Sequence, residues 1–83
     1  MKSVFTEEYE VFLQSLVSAR KNADITQQQL AEKLGKPQSF VSKYERRERR
    51  LDVVEFVIIA RVIGFDPCQT IREIESRMAL QNG

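Results

Sequence analysis

The chain has 83 residues, 42% apolar and 30% charged, with a net charge of +1. That is the size of one small domain with a limited core, and its balance of apolar and charged residues excludes a disordered chain. It holds no histidine and one cysteine, Cys68; this removes an imidazole base, the common zinc sites and any disulfide within the chain.

Apolar spacing and caps predict five helices and no strand. The first runs from about Glu7 to Asn22: Thr6 is its N-cap, Glu7 and Glu8 suit the positive end of the helix dipole, and Tyr9, Phe12, Leu13, Leu16 and Val17 form its apolar stripe. The second runs from about Gln27 to Leu34. Thr26 and Gln29 form a capping box, Ile25 and Leu30 a hydrophobic staple, and Gly35 supplies the left-handed residue that stops the helix. The third starts near Pro37 or Gln38 and ends near Arg46, with Val41, Tyr44 and part of Glu45 facing inward; proline suits a first turn because its missing N–H has no partner there. The fourth runs from about Val53 to Ile63, with Asp52 and Glu55 as a second capping box and Leu51 and Phe56 as its staple. The fifth runs from about Pro67 to Ala79, capped by Asp66, with Cys68, Ile71, Ile74, Met78 and Leu80 on its apolar face and Gln81 to Gly83 beyond its end. Cys68 is expected to pack as a small apolar residue.

The second and third helices are joined by a very short link at Gly35 and Lys36, and the steric demands of two crossing helices are met along it. Ala31 is small where the helices cross, Gly35 permits positive φ, Val41 plants an apolar residue under the second helix, and Leu30 and Leu34 point into the same core. Ile25 to Ala31 followed by Gln38 to Glu45 resembles the phage-repressor and Cro family of regulators, also called the xenobiotic-response-element (XRE) family. The resemblance spans about residues 13–67, with the helix-turn-helix at about 27–46, in a single domain over residues 1–83. It implies an all-α, five-helix, lambda-repressor-like domain whose third helix enters the major groove. Gln38, Ser39 and Lys43 match the family's base-reading positions and Gln27 a position that holds a phosphate. Arg20 and Glu45 match a pair that ties the first helix to the recognition helix. In one place the chain departs from the family, which often has glycine where Arg47 stands. A left-handed backbone at a non-glycine residue costs on the order of 1–2 kcal/mol; either Arg47 takes that strain, with one more phosphate contact as its gain, or the helix ends differently.

The residue chemistry points the same way. From Lys36 to Arg50 there are six cations (Lys36, Lys43, Arg46, Arg47, Arg49, Arg50) and two anions (Glu45, Glu48), a local charge of +4; the remaining seven cations and ten anions leave the rest of the chain at −3. A basic segment on an acidic body is the electrostatic footprint of a polyanion site. Glutamine pairs bidentately with adenine and lysine reaches the acceptors of guanine. A helix N-terminus such as that at Gln27 suits an anion. The expected DNA-binding set is Gln27, Gln28, Lys36, Gln38, Ser39, Phe40, Ser42, Lys43, Arg46, Arg47 and Arg49.

The fourth helix is apolar almost all round, more than so small a core can cover. A homodimer is therefore expected, with Ile58, Val62, Ile71, Ile74 and Met78 at the interface; the competing arrangement folds Val4, Phe5, Tyr9 and Phe12 over the fourth and fifth helices. The function expected is a sequence-specific DNA-binding transcriptional regulator, a repressor acting as a dimer on two half-sites. Alternatives are a DNA-binding antitoxin with a toxin partner and a protein-interaction module that has lost DNA binding. With no glycine-rich phosphate loop and a lone cysteine, an enzyme is not expected, nor is a cofactor. No apolar run reads as a signal peptide or a membrane span, so the chain reads as cytoplasmic, without a membrane partner.

Overall fold

A computed structural model describes residues 6–82, and the side chains of residues 6–79. Five helices follow in order: α1 (Glu7–Asn22), α2 (Gln27–Leu34), α3 (Gln38–Glu45), α4 (Val53–Ile63) and α5 (Pro67–Asn82), with no strand among the described residues. Every start except that of α3, which follows Pro37 without a side-chain cap, is fixed by a local hydrogen bond that satisfies an otherwise orphaned N–H. The Thr6 hydroxyl accepts from the Tyr9 N–H at 3.1 Å. In the capping box of α2, Thr26 Oγ1 accepts from the Gln29 N–H at 3.0 Å and Gln29 Oε1 accepts from the Thr26 N–H at 2.9 Å. Asp52 and Glu55 repeat this at α4, and Asp66 Oδ1 accepts from the Cys68 N–H at 2.9 Å at the start of α5.

The helix ends differ from one another. Gly35 and Gly64 take φ +69° and +100° after α2 and α4, the positive-φ stop that glycine makes without steric cost. After α1 and α3 the same role falls to Asp24 and Arg47, at φ +61° and +68°. At Arg47 the Glu48 N–H reaches back to the Lys43 carbonyl at 2.8 Å and the Arg47 N–H to the Tyr44 carbonyl at 3.2 Å, so α3 closes in a complete Schellman turn with arginine where glycine is usual. Arg47 therefore accepts the left-handed backbone. The fifth helix ends at Asn82 rather than Ala79: no glycine or proline interrupts residues 80–82, so nothing local stops it earlier.

The core is built from one side of four helices: Tyr9, Leu13 and Leu16 of α1, Leu30 and Ala31 of α2, Val41 and Tyr44 of α3, and Phe56 and Ile59 of α4. Ala31 and Val41 are both buried where α2 crosses α3. Phe12 links α1 to α4, its ring 5.0 Å from that of Phe56 and 5.2 Å from that of Tyr9. Tyr9 and Phe12 thus cover part of α4 from within the chain; Val4 and Phe5, which were grouped with them, lie outside the described residues.

The fifth helix packs on α1 through polar atoms. Thr70 is buried, and its Oγ1 lies 2.8 Å from Ser15 Oγ; Gln69, Glu73 and Arg77 flank it along an open groove. Its apolar face points outward, with Ile71 and Met78 exposed and Ile74 half-buried; the Leu80 side chain lies outside the described residues. Cys68 is exposed, which corrects the expectation that it packs as a small apolar residue: it sits on this outward face, one turn before Ile71. No helix among the described residues is long and apolar enough to cross a membrane.

Candidate nucleic-acid interface

The third helix is locked from behind and open in front. Val41 and Tyr44 are fully buried, which fixes both the depth and the rotation of the helix. On its outer side Gln38, Ser39 and Lys43 are exposed, together with Lys36 just before it and Arg46 at its end; Gln28, in the first turn of α2, is exposed as well. Ser42 is half-buried, its Oγ 3.4 Å from the Ser39 carbonyl. This face carries donors and acceptors at the tips of long or flexible side chains, the chemistry that reads base edges and holds phosphates.

One buried carboxylate holds this helix to α1 and α2. Glu45 Oε2 accepts from Arg20 Nε at 2.7 Å and Oε1 from Arg20 Nη2 at 3.0 Å, while Gln27 Nε2 donates to Oε1 at 2.8 Å. Arg20 Nη1 also donates to the Ile25 carbonyl at 2.8 Å, just before α2. The side chains of Arg20 and Glu45 are 10% and 7% exposed, so this is a nearly buried bidentate pair, supported by the further bonds to Gln27 and the Ile25 carbonyl. The Glu45 hydrogen bond, against the cost of burial, raises the Arg20 pKa. Gln27, half-buried, is therefore engaged within the protein through its amide nitrogen. Beside the pair, the Tyr44 hydroxyl is buried with no hydrogen-bond partner among the described residues. Burial first, and the Glu45 charge second, hold its pKa well above the ordinary tyrosine value.

The loop after α3 carries the densest positive charge, and most of it is partnered. Arg46 forms a two-bond fork with Glu48, at 3.0 and 3.2 Å. Arg47 forks onto Glu10 of α1, and this contact raises the Arg47 pKa and lowers that of Glu10. Arg49 forks onto Glu55 at 3.0 and 2.6 Å, while its guanidinium stands 4.8 Å from the centre of the Phe40 ring. The Arg49 bond and then the Asp52 N–H hold the Glu55 pKa low. Phe40 also carries Lys36 Nζ at 5.7 Å and meets Tyr44 edge-on at 5.7 Å. Phe40 thus lies half-buried against two cations, and Arg50 stacks on Tyr9 at 4.3 Å. The sequence reading missed the carboxylates Glu10, Glu48 and Glu55 as partners of the three arginines. Glu55 had a visible signal as the third residue of a capping box, and Glu48 lies two residues from Arg46; Glu10, 37 residues from Arg47, had none.

The helix-turn-helix family matches this chain over residues 16–69. Among solved structures, an XRE-family like protein from Pseudomonas syringae pv. tomato str. DC3000 superimposes with a TM-score of 0.81 at 49% identity, covering 86% of this chain and 87% of that one. The chain belongs to the XRE family of helix-turn-helix proteins. No curated protein matches it. The family expectation and the all-α fold that came with it are therefore borne out. The helix-turn-helix of an XRE-family chain is a DNA-binding element, and here it spans α2 and α3 across the positive-φ turn at Gly35. Relative to the glycine usual in the family, this XRE member puts a strained arginine after α3 and joins it to α1.

Proposed function

We propose that the protein is a sequence-specific regulator that binds duplex DNA as a homodimer and acts as a repressor by occupying its site. In this reading α3 lies in the major groove: Gln38, Ser39 and Lys43 read base edges, while Gln27, Gln28, Lys36, Ser42 and Arg46 meet phosphates. The observation that carries the reading is the two-sidedness of α3. Fully buried Val41 and Tyr44 fix the helix at its back, so the exposed polar side chains at its front are presented on a rigid element, as base reading requires. In the free protein Phe40, Arg47 and Arg49, the other members of the expected DNA-binding set, also join elements of the fold: Arg49 stands over the Phe40 ring and pairs with Glu55 of α4, and Arg47 pairs with Glu10 of α1.

The dimer rests on surplus apolar surface. Val53 and Val54 are 67% and 62% exposed, and Ile58, Ile71 and Met78 about half. Two-fold association through α5 and the outer side of α4 covers such a surface and leaves both α3 helices free, one turn of DNA apart. Val62 and Ile74, both half-buried, form the floor of that interface.

The test is a pair of variants titrated against duplex DNA. Lys43→Ala relaxes base preference at one position in each half-site, whereas Gln27→Ala weakens binding to all sequences about equally. If neither variant changes affinity or preference, α3 is not the reading element.

A further inference from the structure

Among the described residues Arg46, Arg47 and Arg49 are each bound by a carboxylate of the same chain, and the bonds use the fork with which arginine grips a phosphate. Arg49 is tied to a cap: its partner Glu55 also accepts the Asp52 N–H that starts α4. The other two pairs serve no cap and no core. Arg46 and Glu48 are both more than half exposed, and Arg47 and Glu10 are each more than a third exposed. Glu10 reaches Arg47 across the fold, from an acidic first turn of α1 that holds Glu7, Glu8 and Glu10. Arg47 meets it from a left-handed backbone that costs free energy to hold. Exposed pairs of this kind add little to stability, so their effect falls on the ligand those guanidinium groups are free to take.

We propose that Glu10 and Glu48 stand in for DNA phosphates in the free protein, and that DNA binding proceeds with exchange of these carboxylates for phosphates at Arg47 and Arg46. This rests on the DNA-binding reading above and names a restraint built into the same site. The free protein then presents fewer available cations than its +4 segment suggests, and its non-specific affinity is held down. Only a duplex that brings phosphates to both forks recovers the contacts.

The test compares wild type with Glu10→Gln, Glu48→Gln and a control, Glu8→Gln, by titration with a duplex of random sequence over a series of salt concentrations. Glu8 lies on the same turn of α1 as Glu10 and makes no ion pair among the described residues. Each of the first two substitutions is expected to tighten binding about two- to fivefold at low salt beyond the control. On a random duplex the wild-type forks stay with their carboxylates, so each substitution frees one arginine and steepens the slope of log K against log salt by about 0.9, the signature of one added phosphate contact. In an Arg47→Asn background, where asparagine tolerates the left-handed backbone, Glu10→Gln changes affinity no more than the control. Equal effects of all three substitutions, tighter binding without a steeper slope, or weaker binding overturn the exchange. If wild type binds no duplex at low salt, the DNA-binding reading itself fails, and that result is distinct from all the others.

Discussion

Replacing Arg20 by alanine isolates the contact on which the position of the recognition helix depends. The substitution removes both bonds to Glu45 and the bond to the Ile25 carbonyl. Glu45 is left nearly buried, with Gln27 as its only remaining side-chain partner among the described residues. Breaking a buried pair from one side costs about 3–5 kcal/mol, because the surviving charge stays desolvated. The small residual exposure of both side chains and the retained Gln27 bond favour the lower end, about 3 kcal/mol. For a domain of this size that lowers the melting temperature by roughly 12–24 °C, a large share of a total stability on the order of 5–15 kcal/mol. Thermal melting followed by circular dichroism, with urea titration as a check, measures it. Arg46→Ala, which breaks an exposed pair, provides the scale and should lie within about 0.5 kcal/mol of wild type. A double replacement, Arg20→Met with Glu45→Met, recovers most of the loss, since an apolar pair of similar volume needs no charge compensation. If Arg20→Ala melts within a few degrees of Arg46→Ala, the buried pair does not hold α3 and the reasoning fails.

Tyr44→Phe is expected to leave stability unchanged or raise it by up to about 1 kcal/mol, because the hydroxyl it removes is buried without a partner among the described residues. Since the folded protein holds the Tyr44 proton more tightly than the unfolded chain, whose value lies near 10.0, its contribution is full below that pH and is lost as pH rises above it. Alkaline unfolding curves of wild type and Tyr44→Phe measure this; equal midpoints contradict it. Ala31→Leu overpacks the crossing of α2 and α3, where Ala31 is almost fully buried, and should cost about 1–3 kcal/mol in urea unfolding; a neutral result places the crossing elsewhere. Ile71→Asp puts a charge on the exposed apolar face of α5 without touching the core. It should give a folded monomer by sedimentation, with much weaker DNA binding, where wild type is a dimer; a monomeric wild type at tens of micromolar refutes the interface.

The helix boundaries were readable because their signals are local: Thr6, Thr26, Asp52 and Asp66 each cap within three residues of their own position. The turn at Gly35 was equally plain, since only a positive-φ residue lets α2 and α3 cross so closely. The Arg20–Glu45 pair was recognised from the family pattern, but not the third member, Gln27, whose amide nitrogen faces Glu45 only once α2 is placed. The same limit applies to charge. Counting along the sequence gives a segment of +4, yet the carboxylates that occupy its arginines come from α1 and α4 as well as the loop. Helix α5 hid its packing for another reason: an apolar stripe normally faces the core, but here the buried contact is a hydroxyl pair, Ser15 with Thr70. The stripe of Ile71 and Met78 points outward.

The central claim is that α3 reads base sequence in duplex DNA, and selection of bound sequences from a random duplex pool tests it most directly. Wild type should enrich a two-fold symmetric motif with half-sites about one helical turn apart, and Lys43→Ala should enrich the same motif with one position in each half-site relaxed. Failure of wild type to enrich any sequence at low salt, or an identical motif from Lys43→Ala, contradicts the account.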